Sequence, residues 1–294
     1  MSVSDGSVSP SYPGVSREAG AIPGNDVVLK LWGDAQSGQV NDLIYVSNDK
    51  IHAMIFSLPP GGRFRHSDRS RTYFGADELY YVISGTLLLA NPGTGEVHRV
   101  EQGQAAYFGP DVWHHGFNCG SGELRVLEFF APPPSTGTSQ AYAQTKPYLS
   151  TAAYVQDQWL ERWPEAIKEA RAKDTQRVIG QDEVLWRVEG VSDQIPVGIY
   201  LSTERLTVGY AEILPGQKGD PHVHGGDEAG YILEGQLNLH FPTHSADGRG
   251  NGWFRMRDGD GFFVPAGEKH QYFNMTDRVV RFIFGVAPTY LPNG

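Results

Sequence analysis

Three imidazoles and one carboxylate stand at intervals that let them act together. Gly216 is followed after five residues by His222-Val223-His224, then by Glu228 after three more and Gly235 after a further six. A second run reads Gly259, Pro265, Gly267, His270 and Asn274. Imidazole nitrogen and carboxylate oxygen suit iron, manganese, nickel, copper or zinc, and the set lacks the thiolates of a structural zinc site. The chemistry these residues point to is a metal centre.

Strand geometry explains how residues so far apart could meet. His222 and His224 are two apart, so on an extended strand both face the same way, and Glu228 keeps that parity. Asp220-Pro221, Gly225-Gly226 and Gly235-Gln236 read as turns around the strand material Tyr231-Ile232-Leu233. His270 then arrives from a later strand. The same parity places Gly230 and Ile232 on the inner face with Glu228, and Tyr272 with His270.

The two runs resemble the two motifs of the cupin superfamily, and every defining position is present in Gly216–Gly235 and Gly259–Asn274. The resemblance implies an antiparallel β-barrel in which His222, His224, Glu228 and His270 bind one metal. Two surface histidines beside a glycine turn are the plainer alternative, and the joint spacing outweighs it.

Length and composition agree. A chain of 294 residues can bury two ordinary cores, and 39% hydrophobic with 20% charged residues fits a soluble globular protein. No apolar run approaches a membrane span. Net charge of -10 argues against nucleic acid as a partner. The lone Cys119 excludes an internal disulfide framework and fits a reducing, cytoplasmic setting. Residues 1–25, rich in Ser, Gly and Pro, have neither the basic start nor the apolar core of a secretory signal and read as a loose arm. The basic island Arg63, Arg65, Arg69 and Arg71 is either a solvated loop or a steering surface for an anionic substrate.

The halves repeat at an offset of about 155 residues. Tyr45-Val46-Ser47 answers Tyr200-Leu201-Ser202, Pro60-Gly61 answers Pro215-Gly216, and Gly103, His114 and Asn118 answer Gly259, His270 and Asn274. The expected architecture is all-β: two tandem cupin (jelly-roll) barrels over 26–134 and 176–294, with a connector over 135–175. Within that connector, Val155 to Lys173 carries Trp159, Leu160, Trp163, Ile167 and Ala170 at helical spacing, and both tryptophans are expected to pack on a barrel. In the first half, Ser67 and Arg69 fall in register with His222 and His224, and Glu78 meets Glu228 only after five extra residues. The default is one degenerate site. A second metal held by His66, Glu78 and His114, with Asp68, Tyr73 or His115 drawn in, is the alternative.

Open positions on such a metal allow a substrate with adjacent oxygens to be chelated, or dioxygen to be held beside it. Phe241, Phe263, Tyr210 and Trp253 offer aromatic surface for a pocket. Bicupins similar to this chain include aromatic-ring and flavonol dioxygenases and oxalate-type decarboxylases. The leading expectation is therefore an Fe(II) dioxygenase cleaving a carbon-carbon bond of a small aromatic or enolic substrate, with Glu228 and Tyr272 as catalytic residues. A redox-neutral lyase, isomerase or decarboxylase using Mn, Zn or Ni is the alternative, with Glu212, Glu234 or Tyr272 as acid/base. A metal-containing binding protein or sensor ranks last, since no helix-turn-helix pair is visible. The chain is either a monomer that imitates a cupin dimer or a homo-oligomer.

Overall fold

In a computed structural model, the chain is described at residues 15, 17–132, 142–244, 246, 248, 250 and 252–292. Expectations for residues 1–14 and for the Ser- and Thr-rich part of the connector over 133–141 lie outside the described residues. The rest folds as two β-barrels, each a seven-stranded antiparallel sheet closed by a smaller one.

The first large sheet contains β2 (Val28–Asp34), β3 (Gly38–Ser47), β4 (His52–Leu58), β6 (Asp77–Ser84), β9 (Ala105–Phe108) and β11 (Leu124–Ala131). The second contains β13 (Leu185–Glu189), β14 (Ile195–Ser202), β15 (Thr207–Ile213), β16 (Asp227–Glu234), β19 (Gly261–Val264) and β21 (Val280–Ala287). Each takes its seventh strand from outside its own half. β1 (Gly20–Ile22) pairs with β19, and β12 (Gln176–Ile179) pairs with β9. Part of the segment read as a loose arm is thus a strand of the second barrel, and the start of the second half belongs to the first barrel's sheet. The N–H and C=O groups of these short segments find partners on the sister barrel's edge, which covers both edges at once.

The small sheets are β5 (Arg63–Phe64), β7 (Thr86–Asn91), β8 (Glu96–Glu101) and β10 (His115–Asn118) in one barrel, and β17 (Gln236–His240), β18 (Trp253–Arg257) and β20 (Gln271–Phe273) in the other. The hairpin from β16 to β17 turns at Gly235, whose φ is 88°. A Cβ there would lie 2.5 Å from the Val279 carbonyl oxygen, so only glycine fits.

Period-two alternation builds three cores from two barrels. On β4, Ala53 and Ile55 face the sister barrel while Met54 and Phe56 face the barrel interior; on β6, Leu79 and Tyr81 face out while Tyr80 and Val82 face in. Both faces are buried, which is why His52–Leu58 reads as a continuous buried run rather than an alternating one. The shared core between the barrels has pseudo-twofold symmetry. Tyr45 meets Tyr231 edge-to-face at 5.6 Å and Tyr200 meets Tyr81 at 5.7 Å. Their hydroxyls donate to the carbonyls of Gly259 and Gly103, at 2.7 and 3.0 Å. At the periphery, Asn48 donates to Asp227 and Thr203 to Asp77. Each aromatic pair adds about 0.5–1.5 kcal/mol beyond the area it buries.

The connector is less helical than its spacing implies. Val155–Lys173 yields one 3-10 turn, Asp157–Trp159, and a six-residue helix, Ile167–Ala172. Trp159 packs on Ala166 and Ala170, whereas Trp163 is 57% exposed. A single packed face of three residues is too little to hold a longer helix. No helix among the described residues is long and apolar enough to cross a membrane.

Candidate metal centre

The second barrel brings the four sequence-predicted ligands together. One ligand atom from each of His222, His224 and His270 lies within 4.8 Å of the others. Glu228 Oε2 sits 3.0 Å from His270 Nε2 and 3.6 Å from His224 Nε2. The backbone fixes this arrangement. His222 and His270 exchange N–H···O bonds of 2.9 and 3.0 Å, setting the first motif's strand against β20, and the Gly267 N–H donates to the His224 carbonyl at 2.9 Å.

Each histidine is oriented by its other nitrogen. Nδ1 of His222 faces the Asp220 carbonyl at 3.0 Å, that of His224 the Tyr290 carbonyl at 2.8 Å, and that of His270 the Glu268 carbonyl at 3.1 Å. A carbonyl oxygen only accepts, so each Nδ1 carries a proton, and a neutral ring so oriented keeps its lone pair on Nε2. This is the tautomer a metal-binding imidazole needs.

Glu228 is 1% exposed. Burial alone would push its carboxyl up, but the close His270 imidazole at 3.0 Å, the nearby His224 and a 2.6 Å bond from the Tyr272 hydroxyl hold it down at about 2. Burial, and then the neighbouring imidazoles His270 and His224, push His222 down to about 3, so it is neutral. Burial and the adjacent Glu228 push the Tyr272 hydroxyl well up. His222 is thus a neutral imidazole and Glu228 an ionised carboxylate, the forms in which each can bind a metal.

Glu228 Oε2 and His270 Nε2 are buried without hydrogen-bond partners although they face one another. Two donor atoms each about 2.1 Å from a shared ion lie about 3 Å apart when they meet it at near a right angle, so the observed 3.0 Å fits a metal.

Inner-face parity holds: Ile232 lies in the interior core with Tyr272, and a Cβ on Gly230 would strike the Phe262 ring. The aromatic pocket is built differently from the expectation. Phe263 belongs to the shared core, Tyr210 packs against it, Phe241 stacks on His244, and Trp253 is 37% exposed on β18. The wall beside the ligands is instead Val197, Phe282, Phe284 and Tyr290. Glu212 and Glu234 both pair with Arg281 and take no part in lining the site, so neither is the acid/base.

Residues without a sequence signature complete the mouth. A 460 Å³ cleft outside the ligands is lined by Arg187, Glu189, His222, His224 and Tyr290, among others. The Tyr290 hydroxyl donates to Glu189, Arg187 pairs with the same carboxylate at 3.1 Å, and its guanidinium lies 5.6 Å over the Tyr290 ring. In the sequence, only the repeat of Ala131-Pro132 as Ala287-Pro288 marks the segment after β21.

The first barrel does not assemble the second site considered above. His66 Nδ1 lies 2.6 Å from His115 Nε2, and its Nε2 faces the Leu149 carbonyl at 2.7 Å, so both ring nitrogens are engaged away from Glu78 and His114. His115 is further engaged with Tyr154, and Tyr73 packs on Trp113 and Tyr142. Backbone pairing also moves the register. The His114 N–H points to the Thr72 carbonyl and the Asp111 N–H donates to the Phe74 carbonyl, the bonds that His222 and His224 accept in the second barrel. The five extra residues loop out before the motif, and Thr72 and Phe74, not Ser67 and Arg69, occupy the ligand positions. Glu78 and His114 remain, 3.8 Å apart, but a methyl-bearing hydroxyl and a phenyl ring replace the imidazoles. Arg71 is 6% exposed and holds the carbonyls of Ala143 and Lys146, so it ties the connector down rather than steering an anion.

The cupin domain family's sequence profile matches residues 54–130 and 209–286, and the chain belongs to that family as a two-barrel cupin, or bicupin. No curated protein matches its sequence. Solved structures share the fold at low identity. The formate complex of oxalate decarboxylase from Lactobacillus farciminis is 14% identical with a TM-score of 0.60, covering 95% of this chain and 88% of that one. Protein Ylba from E. coli is 13% identical at 0.60, with 91% and 89% covered. AerE from Microcystis aeruginosa is 12% identical at 0.57, with 89% and 97% covered.

Proposed function

We propose that the chain is a metal-dependent bicupin enzyme whose second barrel holds one divalent ion, Fe(II), through His222, His224, Glu228 and His270. The reaction proposed is dioxygen-dependent cleavage of a carbon-carbon bond in a small substrate that presents adjacent oxygens. The observation that carries this reading is the three-imidazole, one-carboxylate cluster opening onto a cleft of 460 Å³. When bound, such an ion supplies Lewis acidity and a place for dioxygen beside the substrate.

The chain's own residues would act as follows. Tyr272 occupies Glu228 Oε1 and leaves Oε2 for the ion. Phe282, Phe284 and Tyr290 exclude water from the inner wall and favour an aromatic or enolic body. Arg187 at the rim attracts an anionic group, and Glu189, held by Tyr290, is the carboxylate placed to exchange a proton with a substrate in the cleft.

Glu189 also favours a second reading, a redox-neutral decarboxylase or lyase using Mn, Zn or Ni, because such chemistry needs a proton donor beside the metal. Oxalate decarboxylases are among the solved structures of similar fold. The deciding experiment is metal analysis followed by turnover of phenolic, enolic and dicarboxylate compounds with and without oxygen. Oxygen uptake matched to product supports the dioxygenase; equal turnover under argon supports the redox-neutral reading and rejects the first.

A further inference from the structure

The first barrel carries an acid-lined cavity that the second barrel lacks. Asp42 on β3 and Glu128 on β11 point into the interior and are 1% and 4% exposed. They stand on the inner faces of otherwise apolar strands, Asp42 between Val40 and Ile44 and Glu128 after Leu124 and Val126. Pairing across the sheets gives their counterparts. Asp42 lies opposite Phe56 as Val197 lies opposite Ala211, and Glu128 lies opposite Met54 as Phe284 lies opposite Gly209. In the second barrel both positions carry apolar side chains, Val197 and Phe284. Two acids there are not remnants of a metal site, because neither position holds a ligand in the sister barrel.

Neither Asp42 oxygen has a hydrogen-bond partner, and the hydroxyl of Thr72, 2% exposed on the same cavity wall, has none either. Glu78 bonds to Glu128 through one oxygen and leaves Oε1 unpartnered. Around these groups stand the rings of Trp32, Phe56, Phe64, Phe74 and Tyr80. An unpartnered buried polar group costs about 1–3 kcal/mol, so Asp42 and Thr72 on one cavity wall call for an occupant that satisfies them together.

We infer that the first barrel is a binding site for a small organic ammonium ion, held by Asp42, Glu128 and Thr72 with its alkyl groups against the aromatic faces. Carboxyl oxygens and the negative faces of aromatic rings both attract a soft cation and repel an anion. A bare metal ion is the poorer fit: among the described residues, no three of these ligand atoms come within 4.8 Å of one another. The cavity is about 40 Å³, and at about 10–15 Å³ for each water-sized group it takes about three non-hydrogen atoms. Dimethylammonium matches that size. The site is independent of the metal centre and of the reaction proposed there.

The groups facing the cavity or acting on it are Lys30 on β2, Asp42 on β3, His52 on β4, Glu78 and Tyr80 on β6, His114 before β10 and Glu128 on β11. Burial pushes Asp42 up to about 8 and Glu78 and Glu128 well up, and it pushes His52 down to about 3 and His114 to about 4, while Lys30 acts on Asp42 across the β2–β3 pair. Ammonium binding would therefore release protons, and affinity should rise from pH 6 to pH 8.

The test is calorimetric titration of the full metal-loaded chain with dimethylammonium chloride, against sodium chloride, sodium acetate and tetraethylammonium chloride at equal ionic strength. The expected result is saturable 1:1 binding of dimethylammonium with a Kd below about 1 mM, proton release and upfield shifts of the ligand methyls from the rings. Asp42→Asn and Glu128→Gln, which keep side-chain volume, should each weaken it about tenfold or more, Thr72→Val less, and His224→Ala about twofold at most. No saturable heat at about 50 mM, the outcome if Lys30 alone answers the acids, overturns the inference. So does binding of acetate instead, tight binding of tetraethylammonium, or affinity unchanged in the folded Asp42→Asn and Glu128→Gln proteins.

Discussion

Replacing Asp42 with asparagine should make the protein more stable at neutral pH, the reverse of the usual result for a core substitution. The carboxyl is enclosed at 1% exposure with no hydrogen bond to either oxygen. Burial, only partly offset by Lys30, pushes it from its ordinary 3.8 to about 8. An acid with a raised folded-state value binds its proton more tightly in the native chain than in the unfolded one. Stability is therefore full below about pH 4 and declines as the pH climbs toward 8. At pH 7 the unfolded carboxyl sits about three units above its midpoint while the native one is still largely protonated. At 1.36 kcal/mol per unit the cost approaches about 4 kcal/mol. Asparagine has nearly the same shape and no proton to take up. Guanidinium unfolding of both proteins at half-unit steps from pH 4 to pH 9 measures the difference. Asp42→Asn should match the wild type near pH 4 and exceed it by about 4–5 kcal/mol at pH 8. Parallel pH profiles, or a variant that is less stable at pH 8, would refute the placement of a protonated acid in the first barrel. Glu78 and Glu128, both pushed well up by burial, act in the same direction, so the wild-type decline should exceed what Asp42 alone accounts for.

Three further outcomes test the second barrel and the register of the first. His224→Ala and His270→Ala should each lower bound metal to about a tenth or less, read by elemental analysis after gel filtration, with far-ultraviolet circular dichroism unchanged. Tyr272→Phe removes a 2.6 Å bond to Glu228 without opening a cavity, and metal affinity should fall about 10–100-fold in competition with a chelating dye. The double substitution Thr72→His with Phe74→His places imidazoles beside Glu78 and His114, and bound metal should rise from one to two equivalents. A stoichiometry that stays at one in the folded variant would mean that Thr72 and Phe74 are not the counterparts of His222 and His224.

The ligand set was legible because its information is local and periodic. His222 and His224 share a face through strand parity, Glu228 keeps the phase, and the glycines at the turns hold φ values near 72° to 88° that other residues rarely adopt. The two-barrel architecture was legible for a similar reason, since a repeat of turn residues and apolar strands survives loss of the site. The order of the residues could not say where the five extra residues of the first motif loop out. Either placement keeps a plausible alternation, and only the bonds from Asp111 to Phe74 and from His114 to Thr72 choose between them. Nor could it show that Gly20–Ile22 and Gln176–Ile179 would each cross to the other barrel, because strand pairing depends on which edge is left open in space.

What the sequence determined by itself was the identity of four ligands and the kind of scaffold that gathers them, both carried by spacing along single strands. The tertiary structure alone decided which walls those ligands face: the apolar lining of Phe282 and Phe284, the Arg187, Glu189 and Tyr290 cluster at the mouth, and the acids of the first barrel. Those neighbours are joined by packing between strands distant in the chain. Contact across a barrel depends on register and closure, which no residue order displays.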